Sequence, residues 1–140
     1  MSSWDTYVDN LEKGLGQCKY VAILGKSGDS PLSIWAESPD KSSLNPSHAE
    51  LLSVAASVMK EDNSLMGTGL QLGGVKFACI RSEPGVLICQ GKYENKDYSL
   101  VFASTGNCLL IGFNPQAEVK TTKVREAVEV MKNYLKEAGY

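Results

Sequence analysis

The sequence predicts an α+β fold: a central antiparallel β-sheet of about seven strands, with N- and C-terminal helices on one face and a middle helix on the other. Three observations carry this. Apolar residues recur at helical spacing near both ends of the chain and once before its middle. From Thr68 to Phe113 the pattern turns to strand-like runs separated by Gly-, Pro- and Asn-rich breaks. Those breaks are too short for parallel crossovers, so neighbouring strands must run antiparallel. A length of 140 residues suits one domain spanning 1–140.

The elements follow in order. Ser3 can cap a first helix in which Trp4, Tyr7, Val8 and Leu11 share one face and which Gly14 ends. Tyr20-Val21-Ala22-Ile23-Leu24 and Leu32-Ser33-Ile34-Trp35-Ala36 read as two strands joined by a turn over 27–31. A middle helix follows, with Asn45 as its cap and Pro46 at its first position. Leu51, Leu52, Ala55, Ala56, Val58 and Met59 form its broad apolar face, and Asn63 and Gly67 break the pattern. Five strands are expected near 68–72, 75–81, 86–91, 98–103 and 108–113, a meander with a tight Gly73-Gly74 turn after the first. The last helix runs from about 121 to 138, with Val124, Ala127, Val128, Met131 and Leu135 along one stripe and Gly139 as its stop.

Composition narrows the function. A hydrophobic fraction of 43% and a charged fraction of 21% suit a globular chain, and a net charge of -2 gives no field to gather nucleic acid. The first residues lack a basic stretch leading into an apolar run, so no secretory signal is expected, and no stretch approaches the ~20 apolar residues that cross a bilayer. Cys18, Cys79, Cys89 and Cys108 form no C-x-x-C pair, and only one histidine, His48, is present to complete a zinc site. The cysteines read as reduced core residues, which places the chain in the cytosol. No metal, cofactor or enzymatic activity is expected: nucleophile-elbow, H-E-x-x-H, phosphate-loop and dinucleotide motifs are all missing. A cysteine–histidine hydrolase would need partners that meet only in space, and the signatures of such enzymes are missing too.

The aromatic residues are more informative. Trp4, Tyr7, Trp35, Tyr134 and Tyr140 fall at the two chain ends and on one strand. Singly, each reads as a core or rim residue. Brought together by adjacent terminal helices, they would line a groove for a proline-rich chain, which binds as a pre-extended helix at low ordering cost.

Several segments then resemble the profilin family. Ser3-Trp4-Asp5-Thr6-Tyr7-Val8-Asp9-Asn10-Leu11 is similar to its first helix, and Ser33-Ile34-Trp35-Ala36 to its tryptophan-bearing strand. Leu72-Gly73-Gly74-Val75-Lys76-Phe77 resembles its central hairpin. Glu83-Pro84-Gly85, with Ile88 and Gly91-Lys92 after it, is like the plant and lower-eukaryote members. The order and spacing of these segments extend over essentially the whole chain.

The resemblance implies a protein of the cytoplasm and cytoskeleton. It would bind monomeric actin, regulate polymerisation, dock proline-rich segments of filament elongation factors and bind phosphoinositide headgroups. By position it assigns proline-rich ligands to Trp4, Tyr7, Trp35, Tyr134, Leu135 and Tyr140, with Tyr134 standing where many animal members carry histidine. It assigns actin to Lys76, Arg81, Val119, Lys120, Lys123, Arg125 and Glu129, the last replacing a tyrosine of the family. Lys76, Arg81, Lys120, Lys123 and Arg125 would also form one basic surface for an acidic partner or an anionic lipid headgroup. Taken one at a time, these charges read as solvation of a sheet and a helix. The alternative reading keeps the fold as a small α/β scaffold or ligand-sensing domain without actin binding, but does not account for where the aromatics fall.

Overall fold

The computed structural model describes residues 8, 18–25, 32–38, 42, 44–59, 67–83, 85–105, 107–116 and 119–139. The strands are β1 (Tyr20–Gly25), β2 (Ser33–Glu37), β3 (Leu70–Leu72), β4 (Val75–Glu83), β5 (Val86–Gly91), β6 (Ser99–Ser104) and β7 (Cys108–Asn114). The helices are α1 (His48–Met59), between β2 and β3, and α2 (Thr121–Glu137), after β7. All seven strands join one sheet in the order β2-β1-β7-β6-β5-β4-β3, every neighbouring pair antiparallel. The expected meander runs from β3 to β7. The first hairpin then adds beyond β7, so β1 lies inside the sheet, one strand from its edge, although it comes first in sequence.

Each sheet face carries its own apolar layer. Val21, Ile23, Ile88, Val101 and Leu110 pack with Val124, Val128, Met131 and Leu135 of α2, and Val8 joins them. On the opposite face Tyr20, Leu24, Phe77, Leu100, Phe102 and Phe113 pack with Leu51 and Ala55 of α1. Because both faces are covered, β1 and β7 are buried along their whole length. Their sequences are accordingly near-continuous apolar runs. True alternation is left to the outer strand β4, where Lys76 is exposed between half-buried Val75 and buried Phe77. Val8 is helical and lies in the α2 layer, the face expected for the N-terminal helix. The rest of that helix, over 3–14, and the turn over 27–31 lie outside the described residues.

Three local details depart from the sequence expectation. The middle helix begins at His48, two residues beyond Pro46, because Ser47 and not Asn45 is its cap. The Ser47 hydroxyl accepts the Glu50 N–H at 3.1 Å, and the Ser47 carbonyl accepts from Leu51 N at 3.0 Å. Glu50 turns away from the capping position, and its carboxylate accepts the Gly73 N–H at 2.9 Å. That bond ties α1 to the β3–β4 turn, where Gly73 (φ 60°) and Gly74 (φ 82°) both adopt the left-handed backbone a two-residue hairpin requires. On the helix itself, Leu51 and Ala55 are buried while Ala56 faces solvent. Strand β3 starts at Leu70, since residues 67 and 68 belong to a helical turn.

The third departure is a pair of bulges. In β2, Ala36 faces Ile23 and Ile34 faces Leu24, which leaves Trp35 as the extra residue. In β4, Cys79 faces Cys89 and Arg81 faces Ile88, which leaves Ile80 extra and half exposed at 50%. An extra residue reverses the side-chain alternation beyond it. After Ile80, Arg81 and Glu83 therefore point to the α2 face, along with Lys76.

Candidate functional site

Of the residues assigned to ligands from sequence, those that the structure describes lie on the α2 face of the sheet or on α2 itself. Helix α2 starts beside the first residue of β6, where the Ser99 and Thr121 hydroxyls bond at 2.7 Å. Further along, the Lys132 ammonium donates to the Gly85 carbonyl, which also accepts from Ser104 N at the last residue of β6. The helix thus runs alongside β6 in the same direction. Its first turn lies level with the start of β6, and Lys132 level with the β4–β5 turn at Gly85.

At the C-terminal end, the bulge turns Trp35 onto this face, where it packs half-buried against the layer containing Val8 and Leu135. Gly25 makes room for the indole: a Cβ there would come within 2.5 Å of Trp35 Cη2. Tyr134 points outward at 60% exposure, and Val130, one turn earlier, is 46% exposed. Leu135 differs from the reading as a ligand contact: at 0% exposure it lies beneath the surface and supports it. Trp4, Tyr7 and Tyr140 lie outside the described residues. Val130 escaped the sequence reading, although its i, i+4 relation to Tyr134 is the signal that pairs them on one helix face.

On the β4 side of the same face and around the start of α2, Lys76, Arg81, Lys120 and Lys123 are exposed, while Val119 is half-buried against the α2 layer. The expected basic surface is in fact largely compensated. Arg125 grips Glu83 with both terminal nitrogens, at 3.3 and 2.7 Å, and donates its Nε to Glu129 at 3.2 Å. Arg81 pairs with the same Glu83, and Lys123 approaches Glu126 at 3.6 Å. The hydrogen bond from Arg125, aided by both guanidinium charges, holds the Glu83 carboxyl below the usual glutamate range. The same partners raise the affinity of Arg125 for its proton. Among the described groups of this face, positive charge without an acidic partner is left at Lys76 and Lys120, and the middle of the face is a mixed-charge lattice. Glu83 was missed because only the bulge brings it under α2.

His48 tethers the start of α1 to the end of β2. Its Nε2 meets Glu37 Oε1 at 3.1 Å, while the Tyr20 hydroxyl donates to Glu37 Oε2 at 2.6 Å. Burial first, and then this carboxylate, push the Tyr20 hydroxyl far above its ordinary pKa. Among the described residues, no group of His, Cys, Asp and Glu is arranged to hold a metal ion.

A seven-stranded antiparallel sheet between helices, with Trp35 and a cluster of paired charges on one face, has the form of a binding module. The family model described as Profilin matches residues 2–140, and the chain belongs to the profilin family. Profilin of Schizosaccharomyces pombe is 31% identical over 140 residues, 99% of each chain. A crystallised S. pombe profilin, 29% identical, superposes with a TM-score of 0.77 over 99% of this chain and 100% of its own. The same fold recurs in mouse profilin IIa solved with a double repeat from the FH1 domain of mDia1, with a TM-score of 0.77 at 21% identity over 99% and 100% of the two chains. It recurs again in a LokiProfilin2/rabbit actin complex, with a TM-score of 0.72 at 19% identity over 96% and 97%.

Proposed function

We propose that the chain binds monomeric actin through the Lys76–Arg81–Arg125 cluster of the α2 face, and proline-rich segments through Trp35 and Tyr134. In this way it regulates filament growth. The reading is carried by Trp35 on β2 and Lys76 and Arg81 on β4 lying in one sheet with four strands between them, within a chain matched from residue 2 to residue 140 by the profilin family. Relatives of the same fold were solved with actin and with an FH1 repeat. The chain acts by holding partners and not by catalysis. Its setting is the cytoplasm, in association with the cytoskeleton; among the described helices none is long and apolar enough to cross a membrane.

The proline-rich end would use Trp35 and Tyr134, together with Trp4, Tyr7 and Tyr140. Leu135 would hold Trp35 from below. The actin end would meet an acidic partner surface with Lys76 and Lys120, while Arg81, Lys123, Arg125 and Glu129 exchange some of their internal pairs for partner contacts. A phosphoinositide headgroup is the secondary ligand, because it must compete with Glu83 and Glu129 for the two arginines.

Titration with polyproline tests the first half, since both tryptophans of the chain, Trp4 and Trp35, belong to the proposed groove. Saturable fluorescence change, weakened by Tyr134→Ala, is expected; an unchanged signal at millimolar proline overturns the groove. A pyrene–actin assay tests the second half. An excess of the protein is expected to suppress spontaneous nucleation, and unaltered polymerisation overturns it.

A further inference from the structure

Cys79 of β4 and Cys89 of β5 stand directly opposite each other in the sheet. Lys92 N donates to Lys76 O, so residues 76 and 92 form a hydrogen-bonded pair. Counting along the ladder, 78 and 90 form the next such pair, and Cys79–Cys89 falls at a narrow, non-hydrogen-bonded position. Opposed Cα atoms at such positions lie about 4.5 Å apart, inside the window a disulfide can span. The sulfurs are already close, with Cys89 Sγ donating to Cys79 Sγ at 3.4 Å, and both thiols are free. The two cysteines differ in character. The bond from Cys89 holds the Cys79 thiol below its ordinary range against the opposing effect of burial, and the Lys92 charge helps. That bond and burial push Cys89 far up. Cys79 also keeps 7% exposure, whereas Cys89 has none.

We propose that Cys79 and Cys89 form a peroxide-oxidisable dithiol that closes to a disulfide across β4 and β5 in the folded protein. Cys79 thiolate attacks one oxygen of hydrogen peroxide. The O–O bond breaks, hydroxide leaves and is protonated to water, and Cys79 becomes a sulfenic acid. The Cys89 sulfur then attacks the Cys79 sulfur. The S–O bond breaks, and hydroxide departs with the Cys89 proton as a second water. Two thiols and one peroxide give one disulfide and two waters, with two electrons passing from sulfur to oxygen. The bridge clamps β4 immediately before its Ile80 bulge, on the strand that carries Lys76 and Arg81. The site is independent of the ligand reading above.

Peptide mapping tests it, because trypsin cleaves after Lys76, Arg81 and Lys92 and places the two cysteines on separate peptides, 77–81 and 82–92. Native protein is treated with hydrogen peroxide, alkylated and digested without reductant. The expected product is peptide 77–81 joined to 82–92, about 2 Da lighter than the two thiols together and abolished by reductant before digestion. With Cys89→Ser, dimedone is expected to label peptide 77–81 under the same treatment. Recovery of both wild-type peptides fully alkylated overturns the proposal, as does a linkage to Cys18, to Cys108 or to a second chain. The wild-type map stands by itself should the variant fold poorly.

Discussion

Glu83 lies between two guanidinium groups, and its titration should be visible in the stability of the protein. Its carboxyl is held below the usual range in the folded state. The resulting stabilisation is fully present above the unfolded value of about 4.3 and is lost as pH falls through the lower folded value. Glu83→Gln should therefore lower the urea midpoint at neutral pH and flatten the acid limb below about pH 4. A second contrast separates packing from contact. Tyr134→Ala, at an exposed position, should leave stability within about 0.5 kcal/mol while weakening the polyproline response. Trp35→Ala should weaken both, since the indole packs on the core layer that includes Leu135. Paired denaturation and fluorescence titrations distinguish the two, and equal losses of stability would contradict the placement of Tyr134.

At the level of elements, the β3–β4 turn and α1 offer clean tests. A Cβ at Gly74 meets nothing within 4 Å, so Gly74→Ala isolates the backbone cost of a left-handed residue, about 1 kcal/mol. Gly73→Ala should cost more, because its Cβ would also approach Leu44 Cδ1 to 2.8 Å. Leu51→Ala, fully buried beneath α1, should cost about 2–5 kcal/mol by chemical denaturation. Most strands and both described helices were legible in the sequence because apolar spacing and turn chemistry are local. The two bulges were not, since an extra residue shows only against the partner strand. Trp35 could be marked as a candidate without knowing that a bulge aims it, and Arg81 without knowing that Glu83 arrives beside it. The same limit explains the basic surface: five positive charges and the local pair Arg125–Glu129 are readable in a sequence, but the compensation of Arg81 and Arg125 by Glu83 depends on how α2 crosses β4. Placing the cap of α1 at Asn45 failed for a smaller reason, as two capable residues lay within one turn and only the hydrogen bond to Glu50 decides between them.

For the whole molecule, the two proposed patches are carried by β2 and β4, with four strands between them, so a joint complex is the expected state. Neither ligand should need to displace the other, and polyproline affinity measured on the actin-bound protein should match that of the free protein within about threefold, or about 0.6 kcal/mol. A large loss would mean that the surfaces overlap. The strand order has a consequence of another kind. β1 is made early, yet its pairing with β7 must wait until nearly the whole chain has left the ribosome. Until then an entirely apolar strand has a hairpin partner on one side and an open edge on the other. During synthesis the protein is thus exposed to aggregation for almost the full time of elongation, and a nascent chain stalled before residue 108 should be a favoured client of chaperones.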